Sequence, residues 1–294
     1  MALPEELASN PGIGPALAEF TRLIAIELGG ESPELPSFPE VALRVRRALA
    51  RDDIAVDEVV RIVSAEPSLA VRLLQLANSV ALNPGAQRIT TLRTAISRVG
   101  FNMARSATVA FAMSQMRRAE AWRGLSTRFR VIWENNARLA ATAYALARHC
   151  ARSDADEALL AGMLNAVGKL FVLTRLSRFP ALLADAGIGA EIENVWQGRA
   201  ARALLYRWDL GEEVFMAACE FERAQERADG PATLSDVLLA ARHLMDVRVP
   251  AELQDEALAT SLPFARLGLD AAAAARVLES STSEIASLRA ALSD

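Results

Sequence analysis

Asp156-Glu157-Ala158-Leu159-Leu160-Ala161-Gly162-Met163-Leu164-Asn165-Ala166-Val167-Gly168-Lys169-Leu170-Phe171-Val172-Leu173-Thr174 is the stretch that decides the fold. Leu159, Gly162, Met163, Ala166, Leu170 and Leu173 recur at steps of three and four residues, which sets them on one face of a helix. The spacing predicts a single buried helix carrying two polar residues, Asn165 and Lys169, one turn apart. Gly162 and Gly168 each cost up to about 1 kcal/mol relative to alanine inside a helix. Glycine there points to another backbone, or a ligand, in close approach.

Toward the N-terminus the helical period continues. Pro15 to Leu28 has the stripe Leu17, Phe20, Ile24 and Leu28 and stops at Gly29-Gly30. A linker, Glu31 to Phe38, leads to a helix opened by Pro39 and running to Ala50, with Val41, Val45 and Leu49 inward and Arg44, Arg46, Arg47 and Arg51 largely outward. A short helix to Ser64 is packed by Val56, Val59, Val60 and Val63. The next starts at Glu66-Pro67, carries Leu69, Leu73, Leu76, Ala77 and Val80 on one stripe, and ends near Asn83-Pro84-Gly85. Thr90 or Thr91 caps a helix that Gly100 stops, and Asn102 caps its successor, with Met113 and Met116 as core filler.

Toward the C-terminus the pattern predicts a long helix from Ser126 to His149, then, beyond the opening stretch, Ser177 to Ala186 with a break at Gly187 and Gly189. Ala190 to Trp208, Glu212 to Arg227, a turn at Asp229-Gly230-Pro231, Leu234 to Val247, Asp270 to Glu279 and Ser283 to Leu292 complete the series. No segment alternates convincingly at period two, so the fold class is all-α.

Composition bounds the function. At 294 residues, 52% hydrophobic and with a mean hydropathy of +0.18, the chain is rather apolar and long enough for a substantial core. A net charge of −4 gives no overall attraction to nucleic acid or an anionic membrane, and the basic face of the Pro39 helix lacks interleaved aromatics. Of 32 basic residues only Lys169 is a lysine. Cys150 and Cys219 are too few for a disulfide framework and lack metal-type spacing. With no leader-like segment at Met1 to Asn10 and no uninterrupted apolar run of about 18 residues, a cytoplasmic protein that does not span a membrane is expected.

Leu35-Pro36 with Pro39-Glu40-Val41, Ser64-Ala65-Glu66-Pro67-Ser68-Leu69, Leu73-Leu74-Gln75-Leu76-Ala77-Asn78-Ser79, and Thr91-Leu92 with Ala95-Ile96 and Val99-Gly100 resemble the N-terminal half of the HDOD family, bacterial signalling modules related to the HD-domain phosphohydrolases. The resemblance implies a two-part helical fold whose second half is similar to an HD-domain bundle. It divides the chain into an N-terminal helix (1–30), an N-terminal helical half (31–118), a degenerate HD-like half (119–248) and C-terminal helices packing on the module (249–294).

The same resemblance places the remains of a metal site. Asn165 and Ala166 stand where catalytic relatives have the paired histidine and aspartate, Asn135 at the first histidine position, Gln197 at a third, Phe221-Glu222 at a paired histidine, and Ala241 at the final aspartate. A phosphohydrolase metal needs converging imidazoles and carboxylates. The chain has two histidines, His149 and His243, neither with ligand spacing, and neutral amides are poor ligands for transition metals. No catalytic residues, metal or cofactor are expected.

Two readings follow. In the first, the chain is a non-catalytic signalling module read by other signalling proteins, which the resemblance links to two-component, response-regulator and cyclic-dinucleotide networks. In the second, Asn135, Asn165, Lys169, Gln197 and Glu222 line a metal-free pocket for a nucleotide, Lys169 supplying charge and the amides hydrogen bonds. A metal-dependent phosphohydrolase ranks third.

Overall fold

The computed structural model describes residues 12–30, 33, 39–49, 51, 53–85, 87–150, 154–206, 208, 210–227, 230–245 and 262–293. Met1 to Asn10, the linker Glu31 to Phe38 apart from Pro33, and Asp229 of the expected turn lie outside the described residues. Among those described every regular element is helical and none is a strand.

Helix α1 (Gly14–Gly29) buries Leu17, Phe20 and Ile24. It packs on elements far along the chain: Phe20 meets Phe179 edge-on at 5.7 Å, and Glu27 accepts from Arg175 Nε at 2.6 Å. Four helices then pack among themselves, α2 (Glu40–Leu49), α3 (Val56–Ser64), α4 (Pro67–Ala77) and α5 (Leu92–Arg118). The stripe of α4 at Leu69, Leu73, Leu76 and Ala77 is completely buried.

Val80 does not extend that stripe. The helix ends at Ala77, well short of Asn83, and Val80 is 56% exposed. Asn78 is the reason: its Nδ2 donates to the carbonyls of Leu74 and Ile89, and its Oδ1 accepts from the Ile89 N–H, each at 2.8 Å. One amide side chain both terminates α4 and pins the returning loop. Thr91 caps α5 through Thr94 N–H at 3.2 Å. Gly100 breaks the run as expected: with φ 78° and ψ 174° it is non-helical, and α5 is two helical segments meeting there at a kink, a backbone conformation natural to glycine.

The second group comprises α6 (Ser126–Ala147), α7 (Ala155–Leu164), α8 (Ala166–Leu176), α9 (Pro180–Leu183), α10 (Ala186–Leu205), α11 (Glu212–Glu220) and α12 (Leu234–Met245). The opening stretch is two helices, because the hydrogen-bond ladder is interrupted at Asn165. It is also buried on all sides: from Ala158 to Leu176 only Lys169 and Arg175 keep partial exposure. Both glycines mark backbone approach. A Cβ on Gly162 would lie 2.6 Å from Ala140 Cα of α6, and one on Gly168 would collide with the Gln197 backbone carbonyl of α10. Ala155–Leu176 read end to end is long and apolar enough to cross a membrane by length and composition, yet its apolar window is 94% buried, so the core absorbs it.

Gly187 and Gly189 do not break a helix. They lie in the first turn of α10, capped by Asp185, whose Oδ1 accepts from Gly187 N–H at 2.7 Å, and the expected Ser177 to Ala186 helix shrinks to α9. Glu212 to Arg227 divides into α11 and a 3-10 helix, Phe221–Glu226. The chain closes with α13 (Leu262–Leu267), α14 (Ala271–Ser280) and α15 (Thr282–Ser293), of which α15 packs on α4, α5 and α6. Arg46 is half-buried over the Trp208 ring, 5.1 Å from its centroid, and not on the solvent face that the sequence pattern suggests.

Candidate functional site

Asn165, Lys169, Glu193 and Gln197 lie along α8 and α10, which pack closely on each other, with Asn136 on the adjoining α6. Close crossing is possible because Gly168 lets the α10 backbone approach at Gln197. Asn165, 7% exposed, sits at the α7–α8 junction and its Nδ2 donates to the Ala218 carbonyl of α11 at 3.1 Å. Ala166 and Ala241 are fully buried and present only methyl groups.

Asn135 does not join the cluster. It is exposed, and the inward residue on that turn of α6 is its neighbour Asn136, whose Nδ2 donates to the carbonyls of Gly162 and Met163, the latter at 3.1 Å. A one-residue step on a helix turns a side chain by about 100°. Asn136 therefore does the core's work there, and Asn135 meets solvent. Glu222, on the 3-10 helix, is likewise exposed and reaches Lys169 only electrostatically.

Lys169 is the unusual member. Lys169 is half-buried; its ammonium keeps contact with solvent and makes no hydrogen bond or ion pair within 4 Å among the described residues. Burial pushes it below the usual lysine range and Arg242 adds to the shift, while Glu222 and Glu193 pull the other way. Gln197, 9% exposed, has a buried Oε1 with no hydrogen-bond partner. A buried polar atom left unpaired costs about 1–3 kcal/mol, so a cation and an orphan acceptor in one region hold unspent bonding capacity.

Glu193, absent from the sequence-derived set, belongs to this region. It is 6% exposed, four residues before Gln197 on α10 and hence on the same face, and its Oε1 accepts from Arg128 Nη2 at 2.8 Å. Burial raises its carboxyl above the ordinary range, against the pull of Arg128 and Lys169. Gly189 admits the Arg128 guanidinium, which lies 3.0 Å from where a Cβ would be. The i, i+4 relation to Gln197 was the sequence signal for Glu193; Arg128 carried none.

These residues do not fit a divalent metal. Asn165 turns its amide nitrogen to Ala218, Ala166 and Ala241 offer no donor atom, the Glu193 carboxylate is held by Arg128, and Lys169 brings a positive charge of its own. Among the described residues no group of three or more His, Cys, Asp or Glu side chains is placed to hold a metal ion. Nucleophilic thiol chemistry has no footing either: burial raises Cys150, and raises Cys219 to about 12, which keeps both protonated at neutral pH. His149 bonds the Ala145 carbonyl at 2.9 Å, and His243 stacks on Phe264 at 6.2 Å.

A family model described as HDOD domain matches residues 35–223. Among solved structures, a proposed metal-dependent phosphohydrolase from Shewanella amazonensis SB2B superimposes with a TM-score of 0.76 at 22% identity, covering 94% of this chain and 98% of that one. An HDOD domain protein of unknown function from Geobacter sulfurreducens gives 0.64 at 21% identity over 94% and 98% of the two chains. A proposed signal transduction protein from Marinobacter aquaeolei VT8 gives 0.61 at 19% identity over 94% of this chain and 66% of that one. At these identities the likeness is one of fold. No curated protein matches the chain.

Proposed function

The chain belongs to the HDOD family, and on that premise we propose that it is a non-catalytic signal-transduction module that works by contact with other signalling proteins. The observation that carries the reading is the make-up of the cluster at the α8–α10 crossing. Asn165 is spent on a backbone carbonyl, Ala166 is inert, and a half-buried ammonium, Lys169, without a partner among the described residues, occupies the region where a hydrolase would gather carboxylates and imidazoles around a metal. A fold of this kind keeps a rigid helical surface without the means to polarise a phosphoryl oxygen. Two-component and cyclic-dinucleotide networks are the settings that the family membership favours, with the cytoplasm as the compartment.

The test is purification followed by elemental analysis, by assays with a chromogenic phosphate ester and a cyclic dinucleotide in Mg²⁺ and Mn²⁺, and by photo-crosslinking in growing cells. The reading expects no stoichiometric metal, no turnover above the protein-free rate, and capture of a signalling protein. Stoichiometric metal or metal-dependent turnover would overturn it, as would the absence of any captured signalling protein.

A second reading is favoured by the same unspent groups. The Lys169 ammonium and the Gln197 Oε1 are what an anionic ligand with a hydrogen-bond donor, such as a nucleotide, requires. Equilibrium binding of nucleotides to the wild type and to Lys169→Met separates the two. Loss of binding in the variant supports the ligand reading, and no binding to either protein sinks it.

A further inference from the structure

We infer that the trough filled by α15 is a docking surface for an amphipathic helix of a partner protein, with α15 as its exchangeable occupant in cis; this rests on the protein-contact reading above. Helix α15 straddles the two groups of helices, lying against α4 and α5 on one side and α6 on the other. It lies beyond the matched residues 35–223. Glu284, Leu288 and Leu292 share one face at steps of four residues, and both leucines are fully buried.

The trough reads three features of its occupant. Arg148 at the end of α6 pairs with Glu284 near the helix N-terminus. In the middle the Val80 N–H donates to Ser287 Oγ at 3.1 Å. At the far end Arg72 Nη1, on a side chain only 6% exposed, donates to the carbonyls of Ala291 and Leu292 at 3.3 and 3.0 Å. The last carbonyls of a helix have no partners within it and concentrate the negative end of its dipole, so Arg72 acts as a receptor for a helix C-terminus. The chemistry therefore specifies a short helix with an acidic residue one turn before two leucine-like residues.

The seat is larger than α15. Arg72 also borders an open depression of about 350 Å³ lined by Pro67, Val71, Gln75, Phe111 and Arg118, where Val71 is 54% exposed, and Val80, next to Ser287, is 56% exposed. A longer helix would cover apolar surface that α15 leaves in water. A helix of 12 residues is marginal alone in water and holds its shape through tertiary contact. In cis it enjoys an effective concentration on the order of millimolar, so a partner gains the trough once those contacts weaken.

The experiment uses the full chain and a fluorescent peptide of residues 281–294. Glu284→Arg replaces the Arg148 ion pair by repulsion and spares the core leucines; Val80→Cys with Ser287→Cys ties α15 down when oxidised. We expect the Glu284→Arg protein, folded by circular dichroism, to bind the peptide at least ten-fold tighter than wild type. The oxidised double variant should bind no peptide until it is reduced. Equal affinity in wild type and Glu284→Arg, or peptide binding to the oxidised double variant, would overturn the inference. Amides of α15 should exchange at least 100-fold faster than those of central α6 in the wild type, and equal rates would overturn it as well. Peptide exchange in a protein that also hydrolyses a phosphate ester would uphold the docking surface while overturning the non-catalytic reading.

Discussion

The start of α12 and the α8–α10 crossing each bury charged groups, and they treat them in opposite ways. Asp236 on α12 is completely buried and fully engaged: Oδ2 accepts from Arg227 Nη2 at 2.6 Å and from the N–H and Oγ1 of Thr233 at 2.8 and 2.9 Å, while Oδ1 accepts from Arg266 Nε at 2.9 Å and from its Nη2. Arg266 spends its remaining donors on the carbonyls of Arg227 and Ala224 at 2.5 and 2.6 Å. Among the described residues Lys169 has no such partners, and Gln197 Oε1 has none. A buried carboxylate surrounded by donors is a joint, here fastening α13 to α12 and the 3-10 helix. A half-buried ammonium with no protein acceptor among the described residues, in the same region as an orphaned amide oxygen, keeps bonding capacity for something else, which is why the functional reading is placed on the second cluster and not on the first.

The harshest way to break this contrast is Asp236→Ala. It strands the buried Arg266 guanidinium and deprives the half-buried Arg227 of its carboxylate, and removal of one partner of a buried charge network costs about 3–5 kcal/mol. Urea denaturation should show a loss of that size, and a loss under about 1 kcal/mol would mean that the joint is ornamental. Gly168→Ala comes next. Alanine gains up to about 1 kcal/mol in helix propensity, but its Cβ would strike the Gln197 backbone carbonyl, and overpacking against backbone costs about 1–3 kcal/mol. A net fall in thermal stability supports the close crossing, and a rise shows that α8 and α10 have room between them.

How far the sequence revealed these features follows from what each depends on. Helices were legible wherever apolar period and caps coincide, as at Leu69, Leu73 and Leu76 on α4 or Thr91 before α5. Both glycines of the opening stretch were legible as sites of backbone approach, because glycine inside a helix needs a reason. The division at Asn165 was not, since its neighbours keep the helical period on both sides. Val80 was misplaced because the end of α4 is decided by Asn78 bonding to Ile89, eleven residues on, a contact that local periodicity cannot contain. The exposure of Asn135 turns on a rotation of one residue along α6, finer than a motif match resolves. The Arg266–Asp236 joint links positions thirty residues apart and left no trace in spacing.

Lys169→Met sharpens the contrast from the opposite side. Methionine keeps the length and removes a half-buried charge that has no protein acceptor among the described residues, so the variant should be more stable than wild type at pH 7, by up to about 1 kcal/mol after solvent screening. The sign with pH follows from the direction of the shift. Burial lowers the folded-state pKa below the ordinary lysine value of about 10.4, so between the two values the unfolded chain binds more protons and wild-type stability rises with pH. The advantage of the variant should therefore shrink as pH climbs toward that ordinary value. A destabilised Lys169→Met protein would show that the ammonium has a strong acceptor and would remove the contrast with Asp236.

The smallest effect concerns a carboxylate that resembles neither cluster. Asp156, half-buried in the first turn of α7, is pushed up to about 6, by burial first and by Asp154 second. Its pKa in the unfolded chain is about 3.9, so between about pH 4 and 6 the native state holds the proton more firmly, and the protein loses stability as pH rises through that window. Solvent screening and the positive end of the helix dipole both favour the ionised form, which reduces the penalty to about 1 kcal/mol at pH 7. Asp156→Asn should recover that amount in urea denaturation at pH 7 and match wild type at pH 4. An equal gain at both values would trace the change to packing instead of charge, and Asp156 would then join Asp236 as a structural contact whose ionisation the fold does not oppose.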